Sequence, residues 1–79
     1  MRILCFARLR ELVGTGEIDA DLPTGATVRE LRLAVSRVFP VLIELLPKCA
    51  VAVNDEYADD NVVLQPSDRV ALLPPVSGG

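Results

Sequence analysis

Histidine is absent from the 79 residues, and with it goes the side chain that most often moves protons near neutral pH. Ser36, Ser67 and Ser77 therefore lack their usual base, and no other nucleophile has a recognisable partner. Scattered carboxylates such as Asp59 and Asp60 read as solvated loop charges, so the isolated chain is not expected to be an enzyme. Cysteine is scarce. Cys5 and Cys49 are too few for a four-cysteine zinc or iron–sulfur site and read as small buried apolar residues, while a single disulfide needs a geometry that sequence alone does not carry. No bound metal or cofactor is expected. Basic residues are also in deficit, with eight Lys and Arg against eleven Asp and Glu, a net charge of -3 and a pI near 4.7. Binding to nucleic-acid phosphates depends on clustered Lys and Arg, so that class is excluded, and a basic or polyanion-binding partner suits the chain better. Met1 runs directly into a strand-like segment, without the basic region, long apolar stretch and small-residue cleavage site of a signal peptide. Neither a leader nor a membrane span is expected, and the expected location is the cytoplasm.

Apolar residues are abundant, at 51% of the chain against 24% charged, which is a globular composition. A body of this size makes one domain and buries only roughly 60% of the surface of its unfolded chain. Some apolar side chains must then stay exposed, and an exposed cluster marks a partner site.

Arg2 to Ala7 is a short apolar run that fits a strand buried on both faces. Arg8 to Val13 places Leu9, Leu12 and Val13 at helical spacing for a turn or two, stopped by Gly14-Thr15-Gly16. Glu17 to Leu22 alternates strictly, which predicts a strand with one wet face, closing a hairpin with the first. Thr27 with Glu30 forms a capping box, so the main helix begins at Val28. Val28, Leu31, Val35, Val38 and Phe39 supply its apolar stripe, and Pro40 ends or kinks it. Val41 to Leu46, between Pro40 and Pro47, reads as a short helical connector. Ala50 to Val53 is a third strand turned at Asn54-Asp55, Val62 to Leu64 a short strand, and Arg69 to Leu73 the last strand, stopped by Pro74-Pro75. The order predicts an α+β fold of the β-grasp type, a mixed sheet over residues 1–73 with one main helix packed on one face, followed by a tail over 74–79.

One helix covers one face of such a sheet, yet the first and last strands are apolar on both. Parity puts Arg2, Leu4 and Phe6 on one side with Arg69, Ala71 and Leu73, each set beginning with an arginine that needs water. Leu4, Phe6, Ala71 and Leu73 are then the open patch, and Ile3, Cys5, Val70 and Leu72 pack under the helix. The alternative is that the Val41 to Leu46 connector folds over the patch.

Pro74-Pro75 favours a stiff, extended conformation, and Gly78-Gly79 carries no side chain that would obstruct a narrow channel. Residues 74 to 79 could reach roughly 20 Å at about 3.3 Å each. The run from Val70 through Pro74, Pro75, Val76, Ser77, Gly78 and Gly79 closely resembles the C-terminus of the small, sulfur-carrying subunits of molybdopterin synthase, a ubiquitin-like family. Phe6-Ala7-Arg8-Leu9-Arg10-Glu11-Leu12-Val13-Gly14 resembles that family's first strand and turn, and Val53-Asn54, Leu64 and Asp68 match as well. Ser67 stands where the family often has glycine, which bears on the local turn.

The resemblance implies that Gly79 is adenylated with ATP by a ubiquitin-activating-like adenylyltransferase and then thiocarboxylated. It implies insertion of the tail into a large catalytic subunit, in an assembly of two small and two large subunits. Sulfur would pass there to cyclic pyranopterin monophosphate, forming the dithiolene of molybdopterin. Phe6, Tyr57 and Leu73 would lie in the hydrophobic contact with that subunit, alongside Leu4 and Ala71. Three rival readings keep the same chain: a protein modifier joined to lysines through Gly79, a sulfur carrier for thiamin synthesis, and a plain interaction domain with an inert tail.

Overall fold

The computed structural model describes residues 1–75, and in them a five-stranded sheet holds one long helix against one of its faces. Strand β1 (Arg2–Cys5) leads into helix α1 (Ala7–Val13), which Gly14 terminates at φ 83°, a left-handed conformation glycine adopts without a Cβ clash. Strand β2 (Glu17–Asp19) returns antiparallel to β1, pairing Ile18 with Ile3. It stops short of the expected Leu22, although Ala20 keeps the inward parity and is buried.

Helix α2 (Val28–Val38) starts at the expected cap. The Thr27 side chain accepts from the Glu30 amide, and the Glu30 carboxylate accepts in return from the Thr27 amide, both at 3.3 Å. Val28, Leu31 and Val35 have no exposed surface. Val38, expected in the same stripe, is instead 56% exposed, because the chain leaves the helix at Phe39 before another turn can press it down. Leu42 takes the next core position. The connector expected to be helical forms two 3₁₀ turns, Pro40–Leu42 and Leu46–Lys48, and buries Leu42 and Leu46 on the same side as α2. It therefore does not cover the other face.

Strand β3 (Ala50–Val53), a turn with Asn54 and Asp55 at φ 52° and 69°, and strand β4 (Glu56–Tyr57) form a tight hairpin. Two consecutive positive φ values match a type I′ turn, which asparagine and aspartate tolerate. Strand β5 (Val70–Leu73) completes the order β2-β1-β5-β3-β4, parallel to β1 and antiparallel to β3. The strand expected over Val62–Leu64 does not form. Val63 makes only an isolated bridge to Thr27, while Val62 accepts from the Val28 amide and the Leu64 amide donates to Ala26, so the segment pins the lead-in to α2. The short strand of the sheet is β4.

Asn54 and Asp68 hold the hairpin to the loop before β5. Asn54 donates to Asp68 at 2.9 Å and accepts from the Arg69 amide at 2.9 Å, and Asp68 accepts from the Gln65 amide at 2.7 Å. The Asp68 amide closes the turn onto Gln65, and Ser67 has no positive φ there, so glycine is not required at that position.

Candidate functional site

Register carries one row of side chains across the whole open face. Leu4 is opposite Glu17 on one side and Ala71 on the other, Ala71 is opposite Ala52, and Ala52 is opposite Tyr57. Residues directly opposite share a face, so Leu4, Ala71, Ala52 and Tyr57 all look away from α2. Leu73, two residues beyond Ala71, joins them by the period of two. The adjacent row, Ile18, Ile3, Val70 and Val53, points the other way into the core.

Phe6 and Leu73 converge at one end of this face. β1 and β5 are parallel, with Cys5 opposite Leu72, so the next residue of each chain leaves the same end of the sheet. Ala7 takes a φ of 51°, unusual for a residue with a Cβ, and turns the chain abruptly into α1. Phe6 is left 46% exposed at the corner, and Tyr57 at the far edge is 80% exposed. A shallow groove of about 240 Å³ is lined by Leu4, Phe6, Ala52, Ala71 and Leu73, with Asp55 and Arg69 on its rim. Pro74 and Pro75 follow directly, and their lack of an amide hydrogen ends the ladder where the groove ends.

The polar groups of this face sit at its edges. Arg2 pairs with Glu17 at 3.5 Å, and Arg69 pairs with Asp55. Both pairs are exposed, and such pairs contribute at most about 1 kcal/mol, so their role is to keep the rim wet around an apolar centre. The five predicted patch residues thus lie on one face together. Ala52, which sequence reasoning missed, belongs with them; alternation against the buried Val51 was the available signal. Pro74 and Pro75 lie where the tail was expected to begin, while Val76, Ser77, Gly78 and Gly79 fall outside the described residues.

Neither cysteine faces this patch. Both are unpaired and buried in the core. Burial pushes the Cys5 thiol above its ordinary value, with a smaller push from Cys49. Burial also raises Cys49, partly opposed by the Arg32 guanidinium. Both remain protonated near neutral pH, a poor state for a nucleophile. Among the described residues no His, Cys, Asp and Glu cluster has the make-up of a metal site, and no helix is long and apolar enough to cross a membrane.

Comparison with known proteins matches residues 3–79 to the model of the ThiS family. The molybdopterin synthase sulfur carrier subunit of Arabidopsis thaliana is 35% identical over 79 residues, spanning all of this chain and 82% of that protein. Among solved structures, the small archaeal modifier protein 1 of Haloferax volcanii superposes with a TM-score of 0.85 at 28% identity, over 96% of this chain and 97% of that one. A subunit in the complex of subunits 1 and 2 of molybdopterin-converting factor from Helicobacter pylori superposes at 0.67 with 30% identity, over 99% of this chain and 96% of that one.

Proposed function

The chain belongs to the ThiS family, and from that premise we propose that it is the sulfur carrier subunit of a molybdopterin synthase. The observation that carries this reading is the convergence of Phe6 and Leu73 at the point where Pro74-Pro75 leads the chain off an uncovered apolar face. A partner seated on that face receives the tail at a fixed place. The whole-length likeness to the Arabidopsis carrier supports the assignment, and the Helicobacter complex supports a larger subunit as the partner.

The work divides between two regions. The apolar face supplies most of the binding energy, and the Gly79 carboxylate supplies the chemistry. A carboxylate is a poor electrophile. Attack of its oxygen on the α-phosphate of ATP, in the active site of a ubiquitin-activating-like adenylyltransferase, forms an acyl adenylate and releases pyrophosphate. A sulfur donor then displaces AMP to leave the thiocarboxylate. In the large subunit the thiocarboxylate sulfur passes to cyclic pyranopterin monophosphate, building the molybdopterin dithiolene. The chain itself holds no cofactor in this scheme, ATP being spent by the activating enzyme. The assembly contains two small and two large subunits and works in the cytoplasm.

Deleting Gly79 separates the two jobs. The reach shortens by roughly 3 Å, and a misplacement of about 1 Å already costs on the order of a hundredfold in rate. Molybdopterin formation by the reconstituted synthase should therefore be lost, while the dissociation constant for the large subunit stays close to that of the intact chain. Intact mass after incubation with the activating enzyme, ATP and a sulfur source should show one terminal oxygen replaced by sulfur in the full chain only. A deletion variant that still converts precursor at the normal rate would move the sulfur elsewhere. Likeness to the Haloferax modifier favours a second reading, conjugation to lysines through Gly79. Isopeptide-linked products in cells would support it.

A further inference from the structure

We propose that the groove between α2 and the two 3₁₀ turns is a second docking surface, which takes a short acidic segment of a partner protein carrying an aliphatic anchor. The groove has a volume of about 300 Å³ and is lined by Arg29, Arg32, Leu33, Ser36, Ile43 and Leu46, with Pro47 and Asp60 at its margins. It lies on the side of the sheet that α2 covers, away from Leu4, Phe6 and Leu73. Both surfaces can therefore be occupied at once.

Two features define the occupant. Leu31 and Leu42 are fully buried on the core side, whereas Leu33 and Ile43, two residues and one residue after them, are 51% and 56% exposed. They offer an apolar floor for one aliphatic side chain, in a place where the core needs nothing further. Charge defines the rest. Asp60 is neutralised by Arg32 at 2.9 Å, and Arg32 is also held by the Leu46 and Cys49 carbonyls, so this pair is a fixed piece of the groove wall. Arg29 lies one turn before Leu33 on the same helix face. It is in no ion pair among the described residues.

Arg29 and Arg32 against Asp60 leave the groove formally positive in a chain of net charge -3. A carboxylate beside an aliphatic anchor would meet Arg29 at short range, where screening is weakest. An anionic bilayer fits less well, because it would also meet the repulsion of the whole acidic chain.

The test is an amide NMR titration of the full, isotope-labelled chain with a capped peptide carrying two leucines flanked by glutamates. Saturable shifts are expected over residues 29–36 and 42–48. Replacing the glutamates by lysines should weaken binding about tenfold, and Arg29→Glu about fivefold, as expected for exposed charge pairs. Leu33→Asp should remove it while leaving the thermal midpoint unchanged, since that side chain is half exposed. Equal affinity for the lysine peptide would overturn the proposal, as would shifts confined to Leu4, Phe6 and Leu73. So would matching shifts with phosphatidylglycerol vesicles, or on concentrating the chain alone, which would assign the groove to a membrane or to a second copy. Molybdopterin formation in the reconstituted synthase, measured with Leu33→Asp, should be unaltered, so this surface and the Gly79 chemistry can fail separately.

Discussion

Ile3 and Leu4 are neighbours in β1 and nearly equal in size and polarity, yet Ile3 is fully buried under α2 and Leu4 looks out from the other side of the sheet. The same division runs through β5, where Val70 and Leu72 are buried and Ala71 and Leu73 are partly exposed. A strand of period two thus holds two separate apolar sets on one backbone. One set stabilises the domain whether or not a partner is present. The other lies on the face that α2 leaves uncovered, where the proposed partner would sit.

Truncation should separate the two sets most sharply. Ile3→Ala removes buried methyl groups from a site walled by α2 and should cost about 2 to 5 kcal/mol, while Leu4→Ala should cost under about 1 kcal/mol. Urea unfolding of the two variants measures the difference, and equal losses would mean that the faces are not distinct in energy.

Arg32 tests the covered side through a charged group. Its guanidinium joins α2 to Asp60 and to the carbonyls of Leu46 and Cys49, so Arg32→Leu leaves partly buried acceptors without a donor. A loss of roughly 2 kcal/mol is expected in the same assay, together with faster amide exchange around the second 3₁₀ turn. Phe6→Asp should have the smallest effect on folding, within about 0.5 kcal/mol, because the side chain already meets water. Its cost should appear in binding, as a loss on the order of a hundredfold in affinity for the large subunit, read by calorimetry. Loss of fold in this variant would show that the open face belongs to the core.

Local signals were the legible ones. The Thr27 and Glu30 cap, the stop at Gly14 and the inward parity of β1 and β5 are each encoded within a few residues, and each is found in place. The Val62–Leu64 error has a physical source. An apolar triplet beside a turn resembles a strand, but only Leu64 is buried, and the backbone amides and carbonyls are used against the start of α2. β4 was invisible for the opposite reason: two exposed residues, Glu56 and Tyr57, have no alternation to display. Parity alone assigns Leu4, Phe6, Ala71 and Leu73 to the open face of the sheet. Tyr57 came from family resemblance alone, since its place on the face depends on its pairing with Ala52 across a turn.

The parallel pairing of β1 with β5 also decides how the domain bears a load. Residues preceding β1 and residues following β5 leave from opposite ends of the paired strands, because both run the same way. Tension between the two termini would therefore slide β1 along β5 and strain the Ile3–Val70 to Cys5–Leu72 ladder all together, whereas a hairpin pulled at its open end would unzip pair by pair. A partner that tugs on the chain beyond Leu73 pulls against the β1–β5 seam in the middle of the sheet, where the paired residues share the load.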